Sequence, residues 1–533
     1  MKVGALAPAD AGTQVRTSEL VGAFSLAADL AIGLPAEHAL RACYLAMGVG
    51  RALELPAQEQ MELYYTPLLV DAGCTAWASY LAAAIHDNET PARLALLFDT
   101  DLTSATSRFK WLLRYSAPGE TLPERVRIML QLLVHRRAFA REGFENAFEV
   151  ARRLARRLGM PPGVRDGLGG LAKHWELDGA PGAPRSDIPL VSQVAYMAVV
   201  LENVHRLGGC RAVEEAAREA SGKLFTSTLG DAFLSVSRAP EFWPPLEQDS
   251  IWSVVQDLEP DSPYRHVRPE RLPAIAETFA DFVDLKAPHM AGHSRRVADL
   301  SVRVAHRMPF PAGELATIGI AALAHDVGLV AVPSFTLAKA ESSLSAGERE
   351  AHRLHPYHGG RVLSRVPAFR DAARLVASHH EREDGDGYPL GLPGARTPPG
   401  ARVIAVADRF DELTHETPGK TAVDPGRALA QMRREQDGPV WKAAVEALAQ
   451  ELKVAGGSGP IARRRACWPG GLTNREVEVL RVLSRGLSRR QIAQTLYISE
   501  STVRHHLEHI YGKIGVTTRT AATLFAMEQG LLP

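Results

Sequence analysis

Hydrophobic positions recur at helical spacing through most of the chain. Apolar residues fall at i, i+3, i+4 and i+7, as in the stretch VEVLRVLSRGL that begins at Val477. The alternation of apolar and polar residues that is typical of a half-buried strand is scarce. The pattern therefore predicts an all-α protein.

Two stretches rich in proline and glycine interrupt the helical pattern. They span residues 241–267 and 453–470, and their composition is typical of linkers. They divide the chain into helical segments 15–240, 268–452 and 471–533. A length of 533 residues agrees with three or four domains of ordinary size.

The first two segments share a spacing of polar residues. The separation between His38 and Asp71 along the chain equals the separation between His293 and Asp326. A second separation also occurs twice, between His174 and Glu202 and between His380 and Asp408. The repeat indicates a duplicated domain. Coincidence between two unrelated helical bundles is the alternative.

The first copy lacks several of the histidines of the second. An overlay without gaps puts Val70 opposite His325 and Lys173 opposite His379, and Trp175 also falls among the expected ligand positions. We therefore expect segment 15–240 to be a degenerate copy with a structural, sensory or dimerising role.

Histidines concentrate in the second segment. Residues 289–415 contain ten of the 19 histidines of the chain, which suggests a metal site. Two pairs are adjacent in sequence, His325-Asp326 and His379-His380. Asp408 follows the apolar run ARVIAVA, and a loop with the sequence DGDGYP follows the second pair.

These motifs resemble the HD-GYP domain, a subclass of the HD phosphohydrolases. The matching pieces, all within segment 268–452, are HSRRVADLSVRVA, HDVG, HPYHGGRVL, HHEREDGDGYP and ADRFDELT, in that order. The resemblance implies a helical bundle with two, sometimes three, iron or manganese ions that hydrolyses cyclic di-GMP. The metal ligands that it implies are His293, His325, Asp326, His355, His379, His380 and Asp408.

The resemblance also implies individual roles. Asp326 would bridge the two metal ions and act as the catalytic residue, while a third metal ion would need His289 as a ligand. Mixed imidazole and carboxylate ligands favour iron or manganese, and paired cations activate water for attack on a phosphodiester. Asp411, one turn after Asp408, is expected either to orient a ligand histidine or to be an ordinary surface acid.

The predicted substrate contacts are less complete than the predicted ligand set. Gly387, Tyr388 and Pro389 match the family loop, and Lys420 remains from a basic stretch. The family usually has a lysine where this chain has Leu329, and an arginine where it has Thr417. Three interpretations follow: hydrolysis of cyclic di-GMP, hydrolysis of another phosphorylated substrate, or a metal-bearing bundle that only binds.

The third segment has the pattern of a helix-turn-helix. Thr473, Ser488 and Ser499 are expected to cap three short helices, and Gly515 ends the third. LTNREVEVL, GLSRRQIAQTL, ISESTVRHHL and IYGKIGVTTR resemble the LuxR-type helix-turn-helix. By that resemblance the fourth helix would support dimerisation, and the DNA contacts would be Ser501, Thr502, Arg504, His505 and Lys513.

Charge and composition agree with a DNA-binding role confined to this end of the chain. The whole chain has 61 basic and 61 acidic residues, so its formal charge is zero. Residues 471–533 have eight Lys/Arg and five Asp/Glu, a balance of 8 − 5 = +3, and Arg463, Arg464 and Arg465 add three more. Four scattered cysteines suit the reducing cytoplasm, and we expect no membrane span.

We therefore expect a cytoplasmic bacterial transcription regulator that acts as a homodimer. It would bind double-stranded DNA, and cyclic di-GMP or a related nucleotide would be its second partner. The alternative is a metal-dependent phosphohydrolase of another phosphorylated substrate whose helix-turn-helix only localises it.

Overall fold

The computed structural model describes residues 15–98, 104–174, 188–435, 438–456 and 468–532. Residues 16–267 form one compact unit, the first bundle, and residues 268–533 belong to a second. The second unit comprises the second bundle, residues 268–456, and the C-terminal domain, residues 468–532. Two short strands, β1 (Val15–Arg16) and β2 (His266–Val267), pair with each other. All other regular elements of the described residues are helical, so the all-α prediction is confirmed.

Thirteen α-helices make up the described part of the first bundle. They are α1 (Thr17–Ile32), α2 (His38–Ala52), α3 (Ala57–Leu68), α4 (Cys74–Ile85), α5 (Glu89–Phe98), α6 (Ala105–Tyr115), α7 (Leu122–Val134), α8 (Arg136–Arg157), α9 (Pro162–His174), α10 (Leu190–Ala220), α11 (Ser227–Ser237), α12 (Pro244–Glu247) and α13 (Trp252–Asp257).

The second bundle and the C-terminal domain continue the series. The second bundle contains α14 (Leu272–Asp284), α15 (His293–Ala305), α16 (Ala312–Ala324), α17 (Ser334–Leu337), α18 (Ala346–Arg353), α19 (His355–Leu363), α20 (Arg370–Val376), α21 (Pro399–Thr414), α22 (Pro425–Met432) and α23 (Gly438–Gly456). The C-terminal domain contains α24 (Asn474–Ser484), α25 (Arg489–Leu496), α26 (Glu500–Ile514) and α27 (Arg519–Glu528).

The two bundles build the same local features at equivalent positions of the repeat. His38 is the first residue of α2, as His293 is the first residue of α15. The carboxylate of Asp29 accepts a hydrogen bond from the amide of Ala39 (3.3 Å), and Asp284 accepts one from Ser294 (3.2 Å). These equivalent contacts support a duplicated domain over a coincidence of spacing.

A close backbone approach is repeated as well. A Cβ placed on Gly73 would lie 1.8 Å from the carbonyl oxygen of Ala147, and one on Gly328 would lie 1.9 Å from that of His355. No side chain fits at either glycine, so each copy brings a helix against the turn that follows its HD-like aspartate.

The segment expected as the first linker is packed onto the first bundle. Its side chains Leu246, Ile251 and Val255 are buried. Glu37 accepts hydrogen bonds from the hydroxyl of Ser250 (2.7 Å) and the amide of Ile251 (2.6 Å). Because these apolar side chains are spaced by prolines rather than by helical turns, the sequence pattern does not reveal their burial.

The second bundle surrounds an apolar central segment. Residues Ala312–Ala331, which include α16, are long and apolar enough to span a membrane, although the sequence pattern predicts no span. Most of this segment, 78% of its most apolar stretch, is buried inside the bundle. α15, α14, α20 and α21 pack against α16. The segment therefore has the burial of a core helix.

Caps define the helices of the C-terminal domain as the sequence predicts. Thr473 and Glu476 form a capping box at α24, and Ser488 forms another with Gln491 at α25. The hydroxyl of Ser499 accepts a hydrogen bond from the amide of Thr502 at α26. α26 ends at a glycine with φ +63°, a conformation that favours glycine.

Candidate metal centre and nucleic-acid interface

Seven side chains converge at one end of the second bundle. They form three overlapping groups, each with donor atoms within 4.8 Å of one another: His355, His379 and His380; His293, His325 and Asp408; and His325, Asp326 and His379. All seven residues that the resemblance implies as ligands are therefore brought together. His289 lines the same cleft but belongs to none of these groups.

Helix ends and one helix interior position these side chains. His293 and His355 begin α15 and α19, while His325 and His379 follow the ends of α16 and α20. Asp408 points inward from the middle of α21. Five separate helices thus contribute to one small volume.

Asp326 lies between the group around His355 and the group around His293. One carboxylate oxygen of Asp326, Oδ1, is 3.3 Å from Nε2 of His355. The other oxygen, Oδ2, is 3.4 Å from Nε2 of both His293 and His325. Its two oxygens face different sets of imidazoles, which is the arrangement that a bridging carboxylate needs.

The histidine tautomers leave lone pairs at the centre. Nδ1 of His325 donates to the carbonyl of Ala322 (2.9 Å), Nδ1 of His355 to that of His352 (2.8 Å), and Nδ1 of His379 to that of Val376 (2.7 Å). In a neutral imidazole, a proton on Nδ1 leaves a lone pair on Nε2. Nε2 of His325 is buried without a hydrogen-bond partner among the described residues.

The buried imidazoles of His355, His379 and His380 stay neutral at neutral pH. Burial lowers the pKa of His355 to about 3 and that of His379 to about 4, and the adjacent imidazoles act in the same direction. Burial and the imidazole of His379 also hold the pKa of His380 well below its ordinary value. Neutral imidazole is the form that binds metals, so these side chains need no deprotonation at neutral pH.

The group that contains His293 and Asp408 favours positive charge. Burial opposes ionisation of Asp408, but the imidazoles of His293 and His325, whose Nε2 atoms lie 3.3 and 3.8 Å from its Oδ1, hold the pKa of its carboxyl well below the ordinary value. In turn, hydrogen bonds to carboxylates outweigh burial and raise the pKa of His293. Buried negative charge of this kind is compensated in proteins by a proton or by a metal cation.

Asp411 orients one of the histidines. Its Oδ2 lies 2.7 Å from Nδ1 of His293, and both of its oxygens accept hydrogen bonds from Arg296 (2.8 and 3.0 Å). Only 2% of the Asp411 side chain is exposed. Asp411 therefore holds the ring of His293, a candidate ligand, and its alternative as an ordinary surface acid is wrong.

A cleft of about 800 Å³ opens onto six of the seven side chains, and the seventh, His325, is fully buried behind them. The sequence-predicted residues Gly387, Tyr388 and Lys420 line the cleft. Pro389, the fourth predicted residue, is not among the lining residues. The ring of Tyr388 stacks on the ring of His380, with centroids 4.6 Å apart. Nζ of Lys420 lies 2.8 Å from a carboxylate oxygen of Glu341, so its charge has a partner within the cleft.

Glycine at 387 is required by the packing of the loop. A Cβ at this position would lie 2.3 Å from the amide nitrogen of Arg382 and 2.5 Å from Cα of Glu381. The Glu381 carboxylate also accepts hydrogen bonds from the amides of Leu390 and Leu392, both 2.7 Å long. The loop is therefore anchored where it brings Tyr388 over His380.

Sequence reasoning missed six further cations of the cleft. Arg349 and Arg353 of α18 line it, together with Lys339. The guanidinium of Arg353 lies 5.0 Å from the centroid of the Tyr388 ring. The sequence signal is their i, i+4 spacing just before the HPYHGG motif, which places both on one helix face.

The C-terminal domain presents α26 with one polar face. Ser501, Thr502, Arg504 and His505 are exposed, while Val503, Leu507 and Ile510 of the same helix are buried. Nζ of Lys513, the fifth predicted DNA contact, lies 2.7 Å from the carboxylate of Glu476. Lys513 thus has a partner within the domain. Arg463, Arg464 and Arg465 lie outside the described residues.

Comparison with known families matches both parts of the second unit. A family model described as HD domain matches residues 277–439, and one described as bacterial regulatory proteins of the luxR family matches residues 471–526. The transcriptional regulatory protein LnrK of Bacillus subtilis is 43% identical over 60 residues, which cover 11% of this chain and 27% of LnrK.

Relatives of the larger part are phosphodiesterases. The 3'3'-cGAMP-specific phosphodiesterase 3 of Vibrio cholerae is 29% identical over 419 residues, 78% of this chain and 90% of the relative. A cyclic di-GMP phosphodiesterase of Thermotoga maritima is 32% identical over 190 residues, 35% of this chain and 45% of the relative. The crystal structure of a cyclic GMP-AMP specific phosphodiesterase of V. cholerae has a TM-score of 0.57 and 25% identity, covering 83% of this chain and 99% of that one.

The chain thus combines tandem HD-like helical bundles with a small helix-turn-helix domain. Residues 277–439 are an HD domain, and residues 471–526 are a regulatory domain of the LuxR family. The recognition of an HD-GYP domain followed by a LuxR-type helix-turn-helix is confirmed.

Proposed function

We propose that this chain is a DNA-binding transcription regulator whose second bundle binds and hydrolyses a cyclic dinucleotide. The observation that carries the proposal is the convergence of seven histidine and aspartate side chains, six of which line a cleft that is also lined by cations. Cyclic di-GMP is the substrate expected from the sequence. The relative that matches most of the chain acts on 3'3'-cGAMP, which belongs to the same chemical class.

The donor set fits two divalent metal ions, for which iron or manganese is the proposed identity. The ligands would be His293, His325, Asp326, His355, His379, His380 and Asp408. Facing lone pairs on buried Nε2 atoms and the two-sided placement of Asp326 support this assignment. Imidazole with carboxylate is the ligand mixture that these metals accept. When bound, such ions supply an activated water and stabilise charge on the phosphodiester.

The side chains around the ligands prepare the site. Asp411 holds the ring of His293 by its Nδ1, and Arg296 in turn holds Asp411. Tyr388, stacked on His380, presents an aromatic face at the cleft against which a purine can stack. Gly387 and Pro389 shape the loop that carries this ring. Asp326 is the proposed catalytic residue, since it faces both groups of imidazoles.

In the C-terminal domain, we assign DNA contact to Ser501, Thr502, Arg504 and His505 on the exposed face of α26. A homodimer in the cytoplasm is part of the proposal, because a helix-turn-helix ordinarily reads paired half-sites. Lys513 remains the weakest member of the predicted set, because its partner Glu476 is buried, whereas Glu508, the partner of Arg504, is exposed.

A contact between the second bundle and the C-terminal domain supports communication between the two sites. A Cβ placed on Gly486 would lie 2.7 Å from Cβ of Pro288, and one on Gly292 would lie 3.6 Å from Cδ1 of Leu532. Gly292 immediately precedes His293, the first residue of α15. Ligand binding that moves His293 would therefore also move Gly292, which contacts the C-terminal domain.

The first experiment is metal analysis of the purified chain followed by incubation with cyclic di-GMP and with 3'3'-cGAMP. We expect bound iron or manganese and a linear dinucleotide product. If the chain binds metal and a cyclic dinucleotide but does not hydrolyse the nucleotide, its second bundle has a binding role alone. A chain that binds neither metal nor nucleotide would overturn the assignment of the site.

A second experiment separates the regulator from an enzyme that DNA binding only localises. Asp326→Ala should abolish hydrolysis and also alter the DNA affinity measured with cyclic dinucleotide present. Leu532→Ser should keep hydrolysis but reduce the effect of the nucleotide on DNA affinity. Unchanged DNA binding and transcription in both variants would favour the localised enzyme.

A further inference from the structure

Most cations of the cleft already have an acidic partner. Seven Lys and Arg side chains line the cleft in the described part of the chain. Five of them form ion pairs: Arg296 with Asp411, Lys339 with Glu348, Arg382 with Asp384, Arg409 with Glu435, and Lys420 with Glu341. Their charge is largely neutralised before any ligand enters.

Arg349 and Arg353 differ from these five. Neither guanidinium forms an ion pair with a carboxylate among the described residues. Arg349 donates to the carbonyl oxygen of Leu344 (3.2 Å), and Arg353 lies over the Tyr388 ring. Both therefore keep a full positive charge that faces the cleft.

The helix that carries them is fixed at both ends. At the N-terminus of α18, Ser345 and Glu348 form a capping box. At its C-terminus, the carbonyl of His352 accepts a hydrogen bond from Nδ1 of His355, a member of the metal-ligand cluster. The two arginines are one helical turn apart, so they share a face at a set position relative to that cluster.

The contact of Arg353 with Tyr388 extends a stack. The His380 and Tyr388 rings lie at an interplanar angle of 21°, and the guanidinium of Arg353 covers the Tyr388 ring. A guanidinium held over a ring keeps its N–H groups free at its edge, where a phosphate can accept two hydrogen bonds. Arg349 also lines an adjoining cavity of about 340 Å³.

We propose that Arg349 and Arg353 form a second anion-binding site, which holds the phosphate of a cyclic dinucleotide that is not being cleaved. The inference rests on the proposed function and adds the residues that select a ligand with two phosphates. A cyclic dinucleotide carries two phosphodiesters, and only one can lie at the metal-ligand cluster at a time. The other phosphate takes its counter-charge from the two arginines of α18.

The test compares substrates with two phosphates and with one. The variants are Arg349→Gln, Arg353→Gln and the double variant, with Arg353→Lys as the conservative change. Arg361→Gln is the matched control, because Arg361 is an exposed arginine of α19 that lies over Tyr357 and does not line the cleft. Substrates are 3'3'-cGAMP, cyclic di-GMP and the single phosphodiester bis(p-nitrophenyl) phosphate.

We expect the KM for the cyclic dinucleotides to rise about tenfold or more in the double variant, with a smaller effect on kcat. The preference for cyclic dinucleotide over bis(p-nitrophenyl) phosphate should fall by a similar factor. Arg353→Lys should recover part of the loss, because it keeps the charge without the bidentate geometry. Metal content and circular dichroism confirm that each variant is folded.

The inference is overturned if the wild-type chain hydrolyses a cyclic dinucleotide and the double variant keeps a KM within twofold of that of Arg361→Gln. If the wild-type chain hydrolyses neither cyclic dinucleotide, calorimetric titration with the two cyclic dinucleotides decides. Weaker binding by the double variant then supports the site although hydrolysis has failed. No binding by the wild-type chain overturns both the site and the proposed function.

Discussion

Nε2 of His355 lies 3.2 Å from Nε2 of His379 at the centre of the second bundle. Each ring donates its Nδ1 proton to a backbone carbonyl, so two lone pairs face each other across a distance at which they repel. A shared proton or a cation is needed between them. Burial lowers the pKa values of both imidazoles and so disfavours the proton, which supports the proposed metal ion.

Removal of metal should therefore destabilise the chain. Chelation during purification is expected to lower the Tm of the second bundle by about 5 °C or more, because a ligand at a hundredfold excess over its Kd contributes about 2.7 kcal/mol. Differential scanning calorimetry before and after addition of Mn²⁺ measures this effect. Asp326→Ala should show no such response, whereas His38→Ala in the first bundle should keep it.

The orientation of His293 by Asp411 should matter for metal binding and activity. Asp411→Asn keeps the shape of the side chain but removes the charge that holds both His293 and Arg296. Loss of such an outer partner typically costs about 10–100-fold in metal affinity or activity. Metal titration and kcat measure the change. Asp371→Asn, at an exposed acid of α20, is the control and should match the wild type.

The buried acids of the first bundle predict a loss of stability with rising pH. Burial raises the pKa of Asp29 to about 8, despite the opposing charge of His38, and burial also raises that of Asp71. The folded state thus binds a proton that the unfolded state has released above its ordinary carboxyl pKa of about 4. This stabilising contribution is complete below about pH 4 and is lost as the pH rises to about 8.

Asp29→Asn tests the predicted loss of stability with rising pH, because asparagine resembles the protonated acid and does not titrate. Thermal unfolding of the full chain at pH 5 and pH 8 should show a smaller decrease for Asp29→Asn than for the wild type. An equal decrease in both proteins would contradict a raised pKa of Asp29. Asp231→Asn, at an exposed residue of α11, controls for general charge effects.

Arg504 on the exposed face of α26 should contribute directly to DNA binding. Arg504→Gln is expected to weaken binding at least fivefold, and a lost phosphate contact would reduce the dependence of log K on log salt concentration by about one. Fluorescence anisotropy across a salt series measures both quantities. Lys453→Gln, at an exposed lysine of α23, is the control. An unchanged affinity would remove Arg504 from the interface.

Lys513 should behave differently from Arg504. Lys513→Gln removes the partner of Glu476, whose side chain is only 4% exposed and whose pKa is lowered because the hydrogen bond from Lys513 outweighs burial. We expect a loss of about 1–3 kcal/mol in the stability of the domain, with a smaller effect on DNA affinity. Denaturant unfolding and anisotropy separate these effects. A large loss of affinity without loss of stability would restore Lys513 to the DNA interface.

Local sequence was sufficient for the helices and for the order of the candidate ligands. Thr473 with Glu476 and Ser488 with Gln491 form capping boxes because the partners stand at i and i+3, a distance that the chain itself sets. The seven ligand candidates carry side chains suited to metal in a spacing that already matches a family. These features depend on neighbours along the chain.

Tertiary structure decided which charges are already paired. Lys513 meets Glu476 from another helix, while Lys420 meets Glu341 and Asp411 reaches His293 from positions far apart along the chain. Arg349 and Arg353 stand out only because the five other cations of the cleft have found acidic partners. An ion pair forms where folding brings opposite charges within a few ångströms of each other. A local sequence pattern does not predict the distance between residues far apart along the chain.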